Sequence, residues 1–152
     1  MDDDKMSMNK IAGIVSFSMK VTIGLEVTET NYQTSGILYK KNDKYYLFFN
    51  ETNFDDNSIT KCRMEFNHEE IRIRRDGAVI VDQIYKTGDL VPGYIKTIYG
   101  QLNSEVKTHC YVLQENDTNV EFTLDYDLFV SDERSGNYKL IIQFNKEDMY
   151  YI

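Results

Sequence analysis

Between Val15 and Val27 every second residue is apolar. Val15, Phe17, Met19, Val21, Ile23, Leu25 and Val27 alternate with Ser16, Ser18, Lys20, Thr22 and Glu26. Side chains on a strand point to opposite faces in turn, so this is the pattern of a long, half-buried β-strand. It recurs at Phe122, Leu124, Tyr126, Leu128 and Val130, set against Thr123, Asp125 and Asp127. Tyr138, Leu140, Ile142 and Phe144 repeat it, as do Thr60, Cys62, Met64 and Phe66 against Lys61, Arg63 and Glu65. No segment carries a convincing helical stripe. Tyr94, Ile98, Leu102 and Val106 recur every fourth residue, but Gly100 interrupts them and the neighbouring Ile95, Thr97 and Thr108 favour strand. A single strand from about 94 to 111 is expected there.

Turn chemistry punctuates the runs. The turn signals are Thr34-Ser35-Gly36, Asn42-Asp43, Asp55-Asp56-Asn57, Asn67-His68, Asp76-Gly77, Gly88 with Pro92-Gly93, Asn116-Asp117 and Ser135-Gly136-Asn137. They divide the chain into eight or nine antiparallel strands with short connections. Closure into a barrel removes exposed edges, so a single up-and-down antiparallel barrel of about eight strands is the expected all-β fold, with a sandwich as the alternative.

The stretch "EEIRIRRDGAVIVDQIYKTG" sets inside against outside. A two-residue Asp76-Gly77 turn would place arginines and aliphatics on both faces. A three-residue loop, Arg75-Asp76-Gly77, pairs Ile73 with Val79 and Ile71 with Val81, making one wholly aliphatic face. Each buried Ile or Val contributes about 1.5–3 kcal/mol, whereas an unpaired buried charge costs several. Arg72 and Arg74 therefore go to water, and Arg75, at the loop, is free to fold over a barrel end. The buried face continues to Gln83 and Tyr85. A glutamine there needs partners from protein, water or ligand. Gly100 and Ser104 on a neighbouring inner face leave space, and Tyr94, Tyr99 and Tyr126 bring hydroxyls.

At 152 residues the chain is expected to form one domain, 6–152, with Met1 to Lys5 of "MDDDKM" read as a tag remnant. A net charge of −8 argues against phosphate-rich partners, so no nucleic acid is expected. No run approaches the roughly 20 apolar residues of a spanning helix, and the expected location is the cytoplasm. Cys62 and Cys110 read as free thiols; His109 and Cys110 would point to opposite strand faces. No catalytic fingerprint, cofactor motif or metal spacing occurs. Asp125 and Asp127 share the outward face, so they read as solvated charges.

"RRDGAVIVDQIYKTG", "YGQLNSEVKT" and "LDYDLFV" in this order resemble the YwiB-like family, small bacterial proteins carrying a domain of unknown function. The matching features are Arg75, Gly77-Ala78-Val79, Gln83, Gly88, Tyr99-Gly100 and Tyr126-Asp127. The family is similar to the calycins, the lipocalin-like barrels. That resemblance implies a small-molecule cavity but no chemistry.

The combined expectation is a non-enzymatic module holding a small, mostly apolar ligand with one polar end. Gln83 would hydrogen-bond that end, Tyr85, Tyr94 and Tyr126 would wall the cavity, and Arg75 would gate it or neutralise an acid. The alternative is a filled barrel whose outer apolar residues, Tyr46, Phe48, Ile80, Phe129 and Ile141 with the tail "MYYI", form a protein-partner surface or a weak homodimer.

Overall fold

A computed structural model describes residues 9–53 and 55–147. Among them are ten strands and no helix: β1 (Asn9–Ile23), β2 (Glu26–Lys41), β3 (Lys44–Thr52), β4 (Ile59–Phe66), β5 (Glu70–Asp76), β6 (Ile80–Lys86), β7 (Leu90–Thr97), β8 (Gly100–Glu115), β9 (Asn119–Val130) and β10 (Glu133–Lys146). Each pairs antiparallel with its neighbour in sequence, and β10 returns to β1, closing the barrel. The barrel is up-and-down, as expected, but has ten strands rather than about eight. Diameter grows with strand number, so the interior is wider than an eight-stranded barrel that side chains fill completely.

The extra strands come from turns that sit elsewhere than the glycines suggest. The run through Val27 breaks at Gly24, whose φ of 60° starts a tight hairpin, and Leu25 is fully exposed at its tip. Thr34-Ser35-Gly36 lies inside β2. There Gly36 pairs with Gly13, and a Cβ on Gly36 would stand 2.5 Å from a Val15 methyl, so strand packing, not a turn, requires it. Similarly, Ser135-Gly136 is a bulge within β10. The preceding turn is Ser131-Asp132, where both residues have positive φ, as a type I′ turn requires. The expected strand over 94–111 is instead the β7–β8 hairpin, turning at Ile98-Tyr99.

The β5–β6 hairpin keeps the predicted faces but not the predicted register. Asp76 pairs with Ile80, so the loop is Gly77-Ala78-Val79, and Ile73 meets Gln83 rather than Val79. The slip is four residues on the partner strand, an even number, so no side chain changes face. Ile71 and Ile73 are buried, while Arg72 and Arg74 lie outside. Arg72 chelates Asp82 across the strands at 2.9 and 2.7 Å. Gly77 lacks a positive φ; its use is closeness, since a Cβ there would collide with Thr60 Oγ1.

One end of the barrel is solid. Tyr45, Phe66, Tyr111 and Phe122 form a chain of ring contacts 5.2–6.2 Å apart, packed with Leu38, Ile71, Val120 and Phe144. Phe122 and Phe144 are both 1% exposed. The Tyr111 hydroxyl reaches out of this end to donate to the Asn67 carbonyl at 2.7 Å.

Candidate functional site

The other end is hollow. A cavity of about 420 Å³ opens there, walled by Phe17, Met19, Met64, Ile73, Val81 and Leu140 among others. Its inner boundary is a tyrosine stack. Tyr85 and Tyr126 have ring centroids 4.6 Å apart, and Tyr126 and Tyr138 stack at 5.3 Å. Burial pushes the Tyr85 phenol up to about 12 and raises Tyr126 as well, while the positive charge of Arg75 acts on both in the opposite sense. Both phenols are neutral donors near pH 7.

At the mouth, alternation along β3 carries Tyr45, Leu47 and Phe49 inward, and the next inward position is Glu51. In β4 and β5 the inward positions at this end are Cys62 and Arg75, which are directly paired. Three groups therefore converge on one carboxylate oxygen, Glu51 Oε1. Arg75 Nη2 stands at 2.7 Å, Arg75 Nε donates at 3.0 Å, and Cys62 Sγ donates at 3.0 Å. Burial and the Glu51 carboxylate push the Cys62 thiol up to about 12, so it stays protonated. Tyr32, stacked on Phe17, turns a buried hydroxyl toward Glu51, and its pKa is raised by burial and by that carboxylate.

Gln83 is 2% exposed on the cavity wall and bound on all sides. Its Nε2 donates to the carbonyls of Val91 at 2.9 Å and Ile84 at 3.0 Å, and its Oε1 accepts from Ser104 Oγ at 3.1 Å. The local reason is a break in the sheet. The β6–β7 ladder runs only from Ile80 to Asp82, and the Gln83 amide spans the gap beyond it. Gly93 makes room for that amide, since a Cβ there would collide with Gln83 Oε1.

Of the five residues singled out from sequence, Arg75, Gln83, Tyr85 and Tyr126 line the cavity. Tyr94 does not. It pairs with Asp82, and so takes the outer face beside the Arg72–Asp82 pair, because β7 is a separate strand rather than the start of β8. Gly100 ends the β7–β8 turn and adds no internal space, and Ser104 is committed to Gln83. Glu51, Cys62, Met19 and Tyr138 were missed. Glu51 was within reach, since the inward parity of Tyr45, Leu47 and Phe49 leads to it.

Outside the barrel, Asp125 and Asp127 face outward as expected and share the Asn137 amide, at 2.9 and 3.0 Å. His109 is the extra residue of a bulge in β8, so both it and Cys110 are exposed, where alternation predicts opposite faces. His109 lies 3.1 Å from Asp127. Both cysteines are free, Cys62 buried and Cys110 exposed. Tyr46 and Phe48 lie on β3, Ile80 on β6, Phe129 on β9 and Ile141 on β10, so these outer apolar residues are spread around the barrel; the tail from Met149 lies outside the described residues. Among the described residues no helix is long and apolar enough to cross a membrane, and no cluster of three His, Cys, Asp or Glu could hold a metal.

The fold and the cavity define a class of protein: a closed up-and-down β-barrel that keeps one internal chamber. The chain belongs to the family described as a domain of unknown function, DUF1934, whose model matches residues 15–142. An uncharacterized β-barrel protein of Bacillus subtilis (strain 168), YwiB, is 25% identical over 113 residues, 74% of this chain and 78% of the relative. The crystal structure of the ywiB protein from Bacillus subtilis superposes with a TM-score of 0.82 at 19% identity, covering 95% of this chain and 98% of that one. The resemblance read from the sequence to the YwiB-like family is thereby borne out, and it carries the fold.

Proposed function

We propose that this barrel is a non-enzymatic binding protein whose chamber holds one small, mostly apolar molecule with a polar end. The observation that carries the reading is the cavity of about 420 Å³ at the end of the barrel opposite the packed rings of Tyr45, Phe66, Tyr111 and Phe122. Pockets that enclose small molecules run from roughly 300 to 1,000 Å³, with apolar walls and a few placed polar groups. Here the walls are aliphatic and thioether, and the polar groups are Arg75, Glu51 and the phenols of Tyr85 and Tyr126. Gln83 positions the wall and does not bind, because its amide hydrogens are both taken within the sheet.

The outer surface supports a protein that works in water. Arg63, Glu65, Arg72, Arg74, Asp82, Asp125 and Asp127 all point outward, the reverse of the apolar girdle of a membrane barrel. The two free thiols suit a reducing cytoplasm. Native mass spectrometry of untagged protein from its own cells tests the reading. Retained mass of small-molecule size, lost on denaturation, is the expected result. Protein that emerges bare, and that also takes up no apolar probe when refolded with one, would refute it. A doubled mass would favour the weak homodimer instead.

A further inference from the structure

We propose that the chamber selects an uncharged head group: an apolar molecule ending in a hydroxyl, amide or carbonyl, and not a carboxylate or an ammonium. The inference rests on the binding reading above and adds the chemical class of the ligand's polar end. An arginine at the mouth of a greasy cavity suggests an acid at first sight. The geometry says otherwise, because Arg75 is already neutralised. Its Nε donates to Glu51 Oε1 at 3.0 Å, its Nη2 lies 2.7 Å from the same oxygen, and that oxygen also accepts from Cys62 at 3.0 Å.

The charges facing the chamber cancel. Arg75 on β5 contributes one positive charge and Glu51 on β3 one negative charge. Cys62 on β4, Tyr85 on β6 and Tyr126 on β9 are all held protonated by burial. An arriving carboxylate either displaces Glu51, leaving that carboxylate without its partner, or sits beside it as a second negative charge. Both arrangements leave an uncompensated anion in a partly desolvated site. An ammonium meets the mirror problem at Arg75. A neutral head meets neither. The guanidinium has five N–H groups; Glu51 accepts from the one on Nε and stands against Nη2, so a carbonyl or hydroxyl oxygen has donors to accept from without breaking the pair. The neutral phenols supply further donors.

The test compares octanol, octanoate and octylamine, which share one chain and differ at the head, by titration calorimetry near neutral pH. The methyl resonances of Met19 and Met64, both on the cavity wall, report whether each probe enters the chamber. In the wild-type protein octanol should bind about tenfold or more tighter than either charged probe. Glu51→Gln keeps shape and hydrogen bonding while leaving Arg75 unneutralised, so octanoate should gain about tenfold and close most or all of its gap to octanol. Octanoate binding tightest in the wild type would overturn the inference while leaving the chamber reading intact, and so would an unchanged gap between octanoate and octanol in Glu51→Gln. Failure of all three to shift either methyl would overturn both. The wild-type ranking decides the matter even if the variant does not fold.

Discussion

The two ends of this barrel are built from the same alternation and finish differently. At one end the inward positions are Tyr45, Phe66, Tyr111, Phe122 and Phe144, and the rings close the interior. At the other they are Met19, Glu51, Cys62, Arg75, Val81 and Leu140, which leave a chamber. Ten strands enclose more space than aliphatic side chains fill, so a barrel of this width is solid where aromatics meet across it, as at Tyr45, Phe66, Tyr111 and Phe122, and stays open where rings such as Phe17 and Tyr138 only line the wall. The difference teaches where stability and function reside. The aromatic end keeps the barrel closed, and the aliphatic end has volume left for a guest.

The largest effect should come from the solid end. Phe122→Ala deletes a ring that touches Phe66 and Tyr111 and is 1% exposed. A loss of about 3–5 kcal/mol is expected, measured by urea unfolding. The boundary between the ends depends on Gln83. Gln83→Met preserves bulk but strips partners from the Val91 carbonyl and Ser104 Oγ, and should cost about 1–3 kcal/mol. Amide exchange should quicken first in β7, the strand that the Gln83 amide ties to β6. Uniform quickening instead would mean that Gln83 is ordinary core rather than a local staple.

The contrast between the ends was partly visible in the sequence, and the reason lies in what alternation encodes. Parity survives errors of register. The β5–β6 hairpin is four residues away from its expected pairing, yet Arg72 and Arg74 are outside and Ile71, Gln83 and Tyr85 inside. Register did not survive, because Asp76-Gly77 offers a plausible local turn, while in the actual loop Gly77 packs closely against Thr60, a contact the sequence does not show. Strand count failed for a related reason. Gly36, Gly93 and Gly136 serve close packing inside strands, and a sequence shows a glycine without showing whether a turn or a neighbour requires it. Tyr94 was misplaced by that error. Glu51 went unnoticed although the parity of Tyr45, Leu47 and Phe49 leads to it, because a lone carboxylate beside Asn50 and Asn53 reads as loop until the ladder with β4 is seen to run through it.

The hollow end should tolerate what the solid end does not. Met19→Ala enlarges a chamber that already exists, so it creates little new void and should cost about 1 kcal/mol or less. A cost equal to that of Phe122→Ala would show the chamber to be occupied by packing, and would break the comparison. Adding octanol should widen the gap between wild type and Met19→Ala, since the variant loses wall contacts with the guest.

The smallest effect belongs to the wet outer wall, where neither end matters. Asp82 is held below the usual carboxylate range chiefly by its hydrogen bonds to Arg72, with burial opposing and the charges of Arg72 and Arg74 assisting. A carboxyl whose folded pKa is depressed stabilises the fold above its unfolded value, near 3.9, and loses that contribution as pH falls through the folded one. The Arg72 side chain is 42% exposed, so solvent screens the pair and its worth is below about 1 kcal/mol. Asp82→Asn should therefore lower stability slightly near neutral pH, and the difference from wild type should shrink to nothing in strong acid. Salt should shrink it as well. A difference of several kcal/mol that persists in acid would mean that this outer pair fixes the β5–β6 register itself. The inner face would then follow the outer one.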